Sequence, residues 1–242
     1  MKSVQTVVFL GDSITLGYGL ENQTERFSSV FCRMTNTIEI NYGATGTLMA
    51  RAGISTADGS SFIDRYPMME DGDLVIVFGG TNDYFWTDTP ISGDMCEDDR
   101  YFENAVHHLC SGLKEKYAGK PIVFILPYKM RGIGNYFGGE NSLAHNGHNT
   151  DQKNYVGHTL IEYVNMQKSI CLSYGTLLDS SALAIRLTLM TGEVDLGHNA
   201  DSLTHGGNSL CKIHRNCVIR CDLGVARINC SAPSTERKVV ER

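Results

Sequence analysis

The chain has 242 residues, 42% of them hydrophobic and 20% charged, which suits one large α/β domain able to bury a sizeable core. A formal net charge of −6 and a pI near 5.7 give no electrostatic case for binding nucleic acid or an anionic membrane surface. No apolar run approaches the roughly 20 residues needed to span a bilayer, and Met1-Lys2-Ser3 leads straight into an apolar stretch without a cleavable leader pattern, so a cytoplasmic protein is expected.

Five short β-rich runs are spaced along the chain: 6–10 (TVVFL), 37–43 (TIEINYG), 73–80 (DLVIVFGG), 121–127 (PIVFILP) and 176–181 (TLLDSS). Their near-continuous apolar character suits parallel strands covered on both faces. Helical patterns lie between them at 26–36, 101–119 and 151–175. The second carries Val106, Leu109, Leu113 and Tyr117 at helical spacing and stops at Gly119-Lys120-Pro121. The third puts Val156, Leu160, Ile161, Val164 and Ile170 on one stripe and closes at Gly175. This alternation predicts a three-layer α/β/α sandwich around a central five-stranded parallel sheet. Two long segments, 84–100 and 128–152, follow strands and should overhang one edge of it; their Phe85, Trp86, Tyr136 and Phe137 suit a pocket wall. Residues 1–210 read as one domain and 211–242 as a C-terminal helix followed by a mobile tail.

Ligands in parallel sheets bind beyond the carboxyl ends of the strands. The first strand runs into Gly11-Asp12-Ser13, the second into Gly43 to Gly46, and the third into Gly79-Gly80-Thr81-Asn82-Asp83. A serine there becomes a nucleophile only if a base takes its proton and hydrogen-bond donors stabilise the oxyanion formed on the substrate. Asn82 offers a side-chain amide, Gly46 offers a backbone N–H without a side chain in the way, and Asp201 and His205 stand just ahead of the last helical pattern.

Those pieces resemble the SGNH hydrolases, also called the GDSL esterase/lipase family, named for a Ser, Gly, Asn and His in separate sequence blocks. GDSIT at 11–15 matches the first block, Gly46 the second, GTND at 80–83 the third, and His205 the last. The resemblance implies a flavodoxin-like sheet and hydrolysis of an ester through an acyl-enzyme. It makes Ser13 the nucleophile and an oxyanion donor, Gly46 and Asn82 the other donors, His205 the base and Asp201 the group that orients it. One departure stands out: the family spaces its acid three positions before the histidine and follows it with proline, whereas Asp201 and His205 are four apart and no proline follows. Asp195 and His198 form a rival pair with the family spacing; His205 is preferred because it directly precedes the terminal helix.

No cofactor and no metal ion are expected, and the partner is a small ester. The polar but aromatic long segments favour a short acyl group, such as O-acetyl on a carbohydrate. Lysophospholipase or thioesterase activity, or an inactive module binding a carbohydrate, are the alternatives. The sequence does not fix the oligomeric state. Asp12 reads as the cap of the turn, Asp83 as a structural hydrogen bonder, and His107 and His108 as surface or core-edge residues. His145, His148 and His158 lack a third ligand at convincing spacing, and Cys211, His214, Cys217 and Cys221 on a helix would span too far to close on one ion. Neither a dinucleotide fingerprint nor a P-loop is present: GYGLEN at 17–22 ends in asparagine and starts past the strand. Cys32, Cys110 and Cys171 fit as reduced core residues.

Overall fold

A computed structural model describes residues 4–51, 61–85, 89–92, 98–127, 153–154 and 156–179. Five strands, β1 (Thr6–Gly11), β2 (Ile38–Gly43), β3 (Leu74–Phe78), β4 (Ile122–Ile125) and β5 (Leu177–Asp179), form one sheet in the order β2-β1-β3-β4-β5. Every pairing is parallel. This is the flavodoxin-like order, in which the sequence direction reverses between β1 and β3.

Helices cover both faces because alternate side chains of each strand point opposite ways. On one face Val8, Leu10, Val75, Val77, Ile122 and Phe124 pack under α5 (Phe102–Lys116) and α6 (Leu160–Ser173). On the other, Val7, Phe9, Leu74, Ile76, Phe78, Val123 and Ile125 pack against Phe27 and Cys32 of α2 (Phe27–Thr35). Phe27 sits edge-on to both Phe9 and Phe78, each with ring centroids 5.8 Å apart, a geometry that aligns ring edges with ring faces. The expected three layers are therefore present, and the α5 stripe of Val106, Leu109, Leu113 and Tyr117 is buried throughout.

Two expectations need correction. The second run does not form a strand covered on both faces: β2 is the sheet edge, and its residues are half-buried or exposed, Ile38 at 64%. An edge position tolerates its polar Glu39 and Asn41. The third helix begins at Leu160, not in the 150s, and Val156 lies in a turn before it. The reason is local: the side chain of Glu162 accepts from the N–H and hydroxyl of Thr159, both at 2.7 Å, closing the helix start, while Gly157 has φ +86. Within α6, Ile161 faces outward, 44% exposed, while Tyr163 and Gln167 lie on the buried face.

Cys32, Cys110 and Cys171 are buried free thiols, the last two facing each other across α5 and α6 with sulfurs 3.8 Å apart. No helix among the described residues is long and apolar enough to cross a membrane.

Candidate active site

The site is assembled where β1, β2 and β3 end. Gly11 of β1 pairs in register with Gly43 of β2 and Phe78 of β3, so three segments leave the sheet at one level. Beyond Gly11, Asp12 adopts an extended backbone and accepts a hydrogen bond from the Ile14 N–H at 2.9 Å, which starts the short helix α1 (Ser13–Leu16). Ser13 is the first residue of that helix and is half-buried. Its hydroxyl takes no partner among the described residues.

The two registered glycines explain how a helix can start so abruptly. A Cβ on Gly43 would lie 2.2 Å from the Leu16 nitrogen, and one on Gly11 would lie 1.9 Å from the Thr15 hydroxyl oxygen. Thus α1 rests directly on the strand ends, with no side chain between. Asn41 fastens it there: its amide donates to the Thr15 carbonyl at 2.8 Å, and its oxygen accepts from the Gly43 N–H at 2.8 Å.

After β2 the chain turns through Ala44 to Gly46. The Ala44 N–H donates to the Gly11 carbonyl at 3.1 Å, and the Thr47 hydroxyl donates to the Ala44 carbonyl at 3.0 Å. Gly46 has φ +68, which residues with a Cβ rarely adopt. After β3, α4 (Thr81–Phe85) carries Asn82 and Asp83. The Asn82 amide donates one hydrogen to the Thr47 carbonyl at 3.0 Å, and its second hydrogen takes no partner among the described residues. Asp83 is fully buried, and its two oxygens accept from the Met49 and Ala50 N–H groups at 2.9 and 3.0 Å. The turn after β2 is thereby clamped to the helix after β3 from both ends.

A family model for GDSL-like lipases and acylhydrolases matches residues 9–187, well over half of the chain. The chain belongs to the GDSL-like lipase/acylhydrolase family. Among solved structures it is similar to a protein from Lactobacillus plantarum, at 25% identity with a TM-score of 0.60, covering 87% of this chain and 96% of that one. A protein from Bacteroides ovatus described as a GDSL-like lipase gives 21% identity and a TM-score of 0.51, over 74% and 85% of the two chains. A carbohydrate acetylesterase family member from Sinorhizobium meliloti gives 16% and 0.50, over 72% and 81%. No curated protein matches.

The family match takes in Ser13, Gly46 and Asn82 and ends before Asp195. The structure brings those three residues to the ends of adjacent strands. Asp201 and His205, the rival pair Asp195 and His198, and the aromatics Trp86, Tyr136 and Phe137 lie outside the described residues, as does the side chain of Phe85. Asp12 and Asp83 hold the capping and hydrogen-bonding places expected of them. His107 contacts the Tyr174 hydroxyl at 3.3 Å, and the exposed His108 contacts Asp99.

Both buried carboxyls titrate high. Burial pushes Asp12 up to about 7, against the Ile14 N–H and the charge of Arg65, with Asp83 adding to the rise. Burial likewise raises Asp83 to about 6, opposed by the Ala50 and Met49 N–H groups. What the sequence reading missed is Arg65, the last residue of α3 (Phe62–Arg65), which is only 7% exposed and hydrogen-bonds the ends of β1 and β2. Nothing in the string FIDRYP at 62–67 distinguishes it from a surface arginine.

Proposed function

We propose that this family member is a serine ester hydrolase that cleaves a short acyl ester, with O-acetyl on a carbohydrate as the favoured class. The observation that carries the reading is the shared register of three strand ends bearing Ser13, the Gly46 turn and Asn82, with one Asn82 amide hydrogen that takes no partner among the described residues. In this mechanism the Ser13 oxygen attacks the acyl carbonyl while His205 takes its proton and then returns it to the leaving alcohol. Asp201 holds the imidazole. Water then attacks the acyl-enzyme by the same route in reverse. The Ser13 and Gly46 N–H groups and the Asn82 amide bind the tetrahedral oxyanion, each donor contributing about 3–4 kcal/mol to the transition state.

The preference for a short acyl group rests on the polar, aromatic character of segments 84–100 and 128–152. The carbohydrate acetylesterase family member from Sinorhizobium meliloti shares the fold, which is compatible with that choice.

A fluorophosphonate should label wild-type protein at Ser13, and Ser13→Ala should abolish p-nitrophenyl acetate hydrolysis while leaving the circular dichroism spectrum unchanged. Persistent turnover in Ser13→Ala refutes the nucleophile. A folded wild type that neither reacts with the fluorophosphonate nor turns over the ester is instead a binding module. Esters from acetate to palmitate report the acyl length; a preference for long chains points to a lysophospholipase or thioesterase. His205→Ala compared with His198→Ala identifies the base.

A further inference from the structure

We infer that Arg65 is the positioning residue of the oxyanion-binding edge: one buried guanidinium ties together the segments that carry Ser13, Gly46 and Asn82. The inference rests on the ester-hydrolase reading above and names a residue that reading does not use.

The geometry is specific. Arg65 donates from Nη1 to the Tyr42 carbonyl at the end of β2, at 2.5 Å. From Nη2 it donates to the Gly11 carbonyl, two residues before Ser13, at 3.1 Å, and to the Thr47 hydroxyl, next to Gly46, at 2.7 Å. Thr47 passes the connection on, since its carbonyl accepts the Asn82 amide. The Thr47 hydroxyl has one hydrogen, committed to Ala44, so toward Arg65 it acts as acceptor, which matches a guanidinium that only donates. The cation is seated over the Phe62 ring, 5.0 Å from its centroid.

Structural need alone does not call for this arrangement. The ends of β1 and β2 are already paired in the sheet, and Asp83 already clamps the Met49–Ala50 end of the turn. The Ala44 N–H already gives the start of the turn one bond to the Gly11 carbonyl, and Arg65 adds a second link from that carbonyl to the Thr47 hydroxyl beside Gly46. Catalytic donors lose effect when misplaced by about 1 Å. Lysine cannot replace it, because a single ammonium lacks the planar fork that reaches three oxygens at once.

The test compares Arg65→Lys, Thr47→Val and Thr47→Ser in the full chain, with Thr47→Val as the milder lesion should Arg65→Lys fold poorly. Arg65→Lys and Thr47→Val should lower kcat for p-nitrophenyl acetate about 10- to 100-fold with KM changed less than about 3-fold, as expected for an interaction felt in the transition state. Thr47→Ser, which keeps the hydroxyl, should restore wild-type kcat. The double variant Arg65→Lys/Thr47→Val should be no slower than the worse single variant, since both cut one connection. Unchanged kcat in both folded single variants, or a loss carried entirely by KM, overturns the inference while leaving Ser13 as nucleophile. If wild-type protein proves inert to ester and fluorophosphonate, the hydrolase reading fails, and amide hydrogen exchange decides the positioning role separately. Faster exchange at residues 44–48 in Thr47→Val supports it, and unchanged exchange there overturns it.

Discussion

The carboxyl of Asp12 shows how one residue couples the site to stability. It caps α1 from a buried position, and burial raises its proton affinity to a pKa of about 7 from an ordinary 3.8. Over that interval the folded chain holds a proton that the unfolded chain has released. The associated stability is full below the lower figure and is lost as pH rises through the upper one. Asparagine caps helices as well as aspartate does and carries no charge. Asp12→Asn should therefore gain in melting temperature relative to wild type as pH goes from 4 to 8. A difference that stays flat across that range would show that the carboxyl is not desolvated in the folded chain. Asp83, raised to about 6, contributes a loss of the same sign that persists in both proteins.

Among the elements, α1 has the narrowest tolerance. It holds Ser13, spans four residues, and lies against the backbone of Gly11 and Gly43. A methyl group on Gly43 would meet the Leu16 nitrogen and Cα, at 2.2 and 2.6 Å, and these are backbone atoms that no rotamer change can move. Gly43→Ala should cost about 1–3 kcal/mol through overpacking. It should also slow fluorophosphonate labelling of Ser13 more than its effect on melting temperature would suggest, because the displaced element is the one bearing the hydroxyl. Normal labelling with a normal melting temperature would mean that α1 does not rest on β2. The contrast with α6 is instructive: that helix owes its start to the Thr159–Glu162 pairing, and its inward face includes Tyr163, whose hydroxyl donates to the Thr89 carbonyl at 2.5 Å.

Among the described residues, the two larger buried clusters lie on opposite faces of one sheet, and both include residues of β1 and β3. The face beneath α5 and α6 has the larger set of buried side chains, with Phe102, Val106, Leu109 and Leu113 at 0% exposure. Leu109→Ala should cost about 2–5 kcal/mol, the range for truncating a buried leucine. For a domain of this size each kcal/mol lowers the melting temperature by about 2–4 °C. A shift below that range would indicate that the space left at Leu109 collapses. Since the hydrogen bonds that seat α1 come from Asp12 and Asn41 and not from α5, the truncated protein, once folded at low temperature, should retain Ser13 labelling.

Sequence alone determined the strands and the placing of Ser13, Gly46 and Asn82 beyond their ends. The apolar runs, the stop at Gly119-Lys120-Pro121, and the motifs holding Ser13, Gly46 and Asn82 are signals written within a few residues of each other, because they arise from local backbone preference and pattern. Tertiary structure decided the strand order that sends β2 to the edge, the face α6 buries, and the use of Arg65. Such outcomes depend on contacts between distant segments: Arg65 meets Gly11 across 54 positions and Tyr42 across 23. An arginine is read as a surface residue until the carbonyls it will donate to have been brought together, and only the folded sheet brings them together.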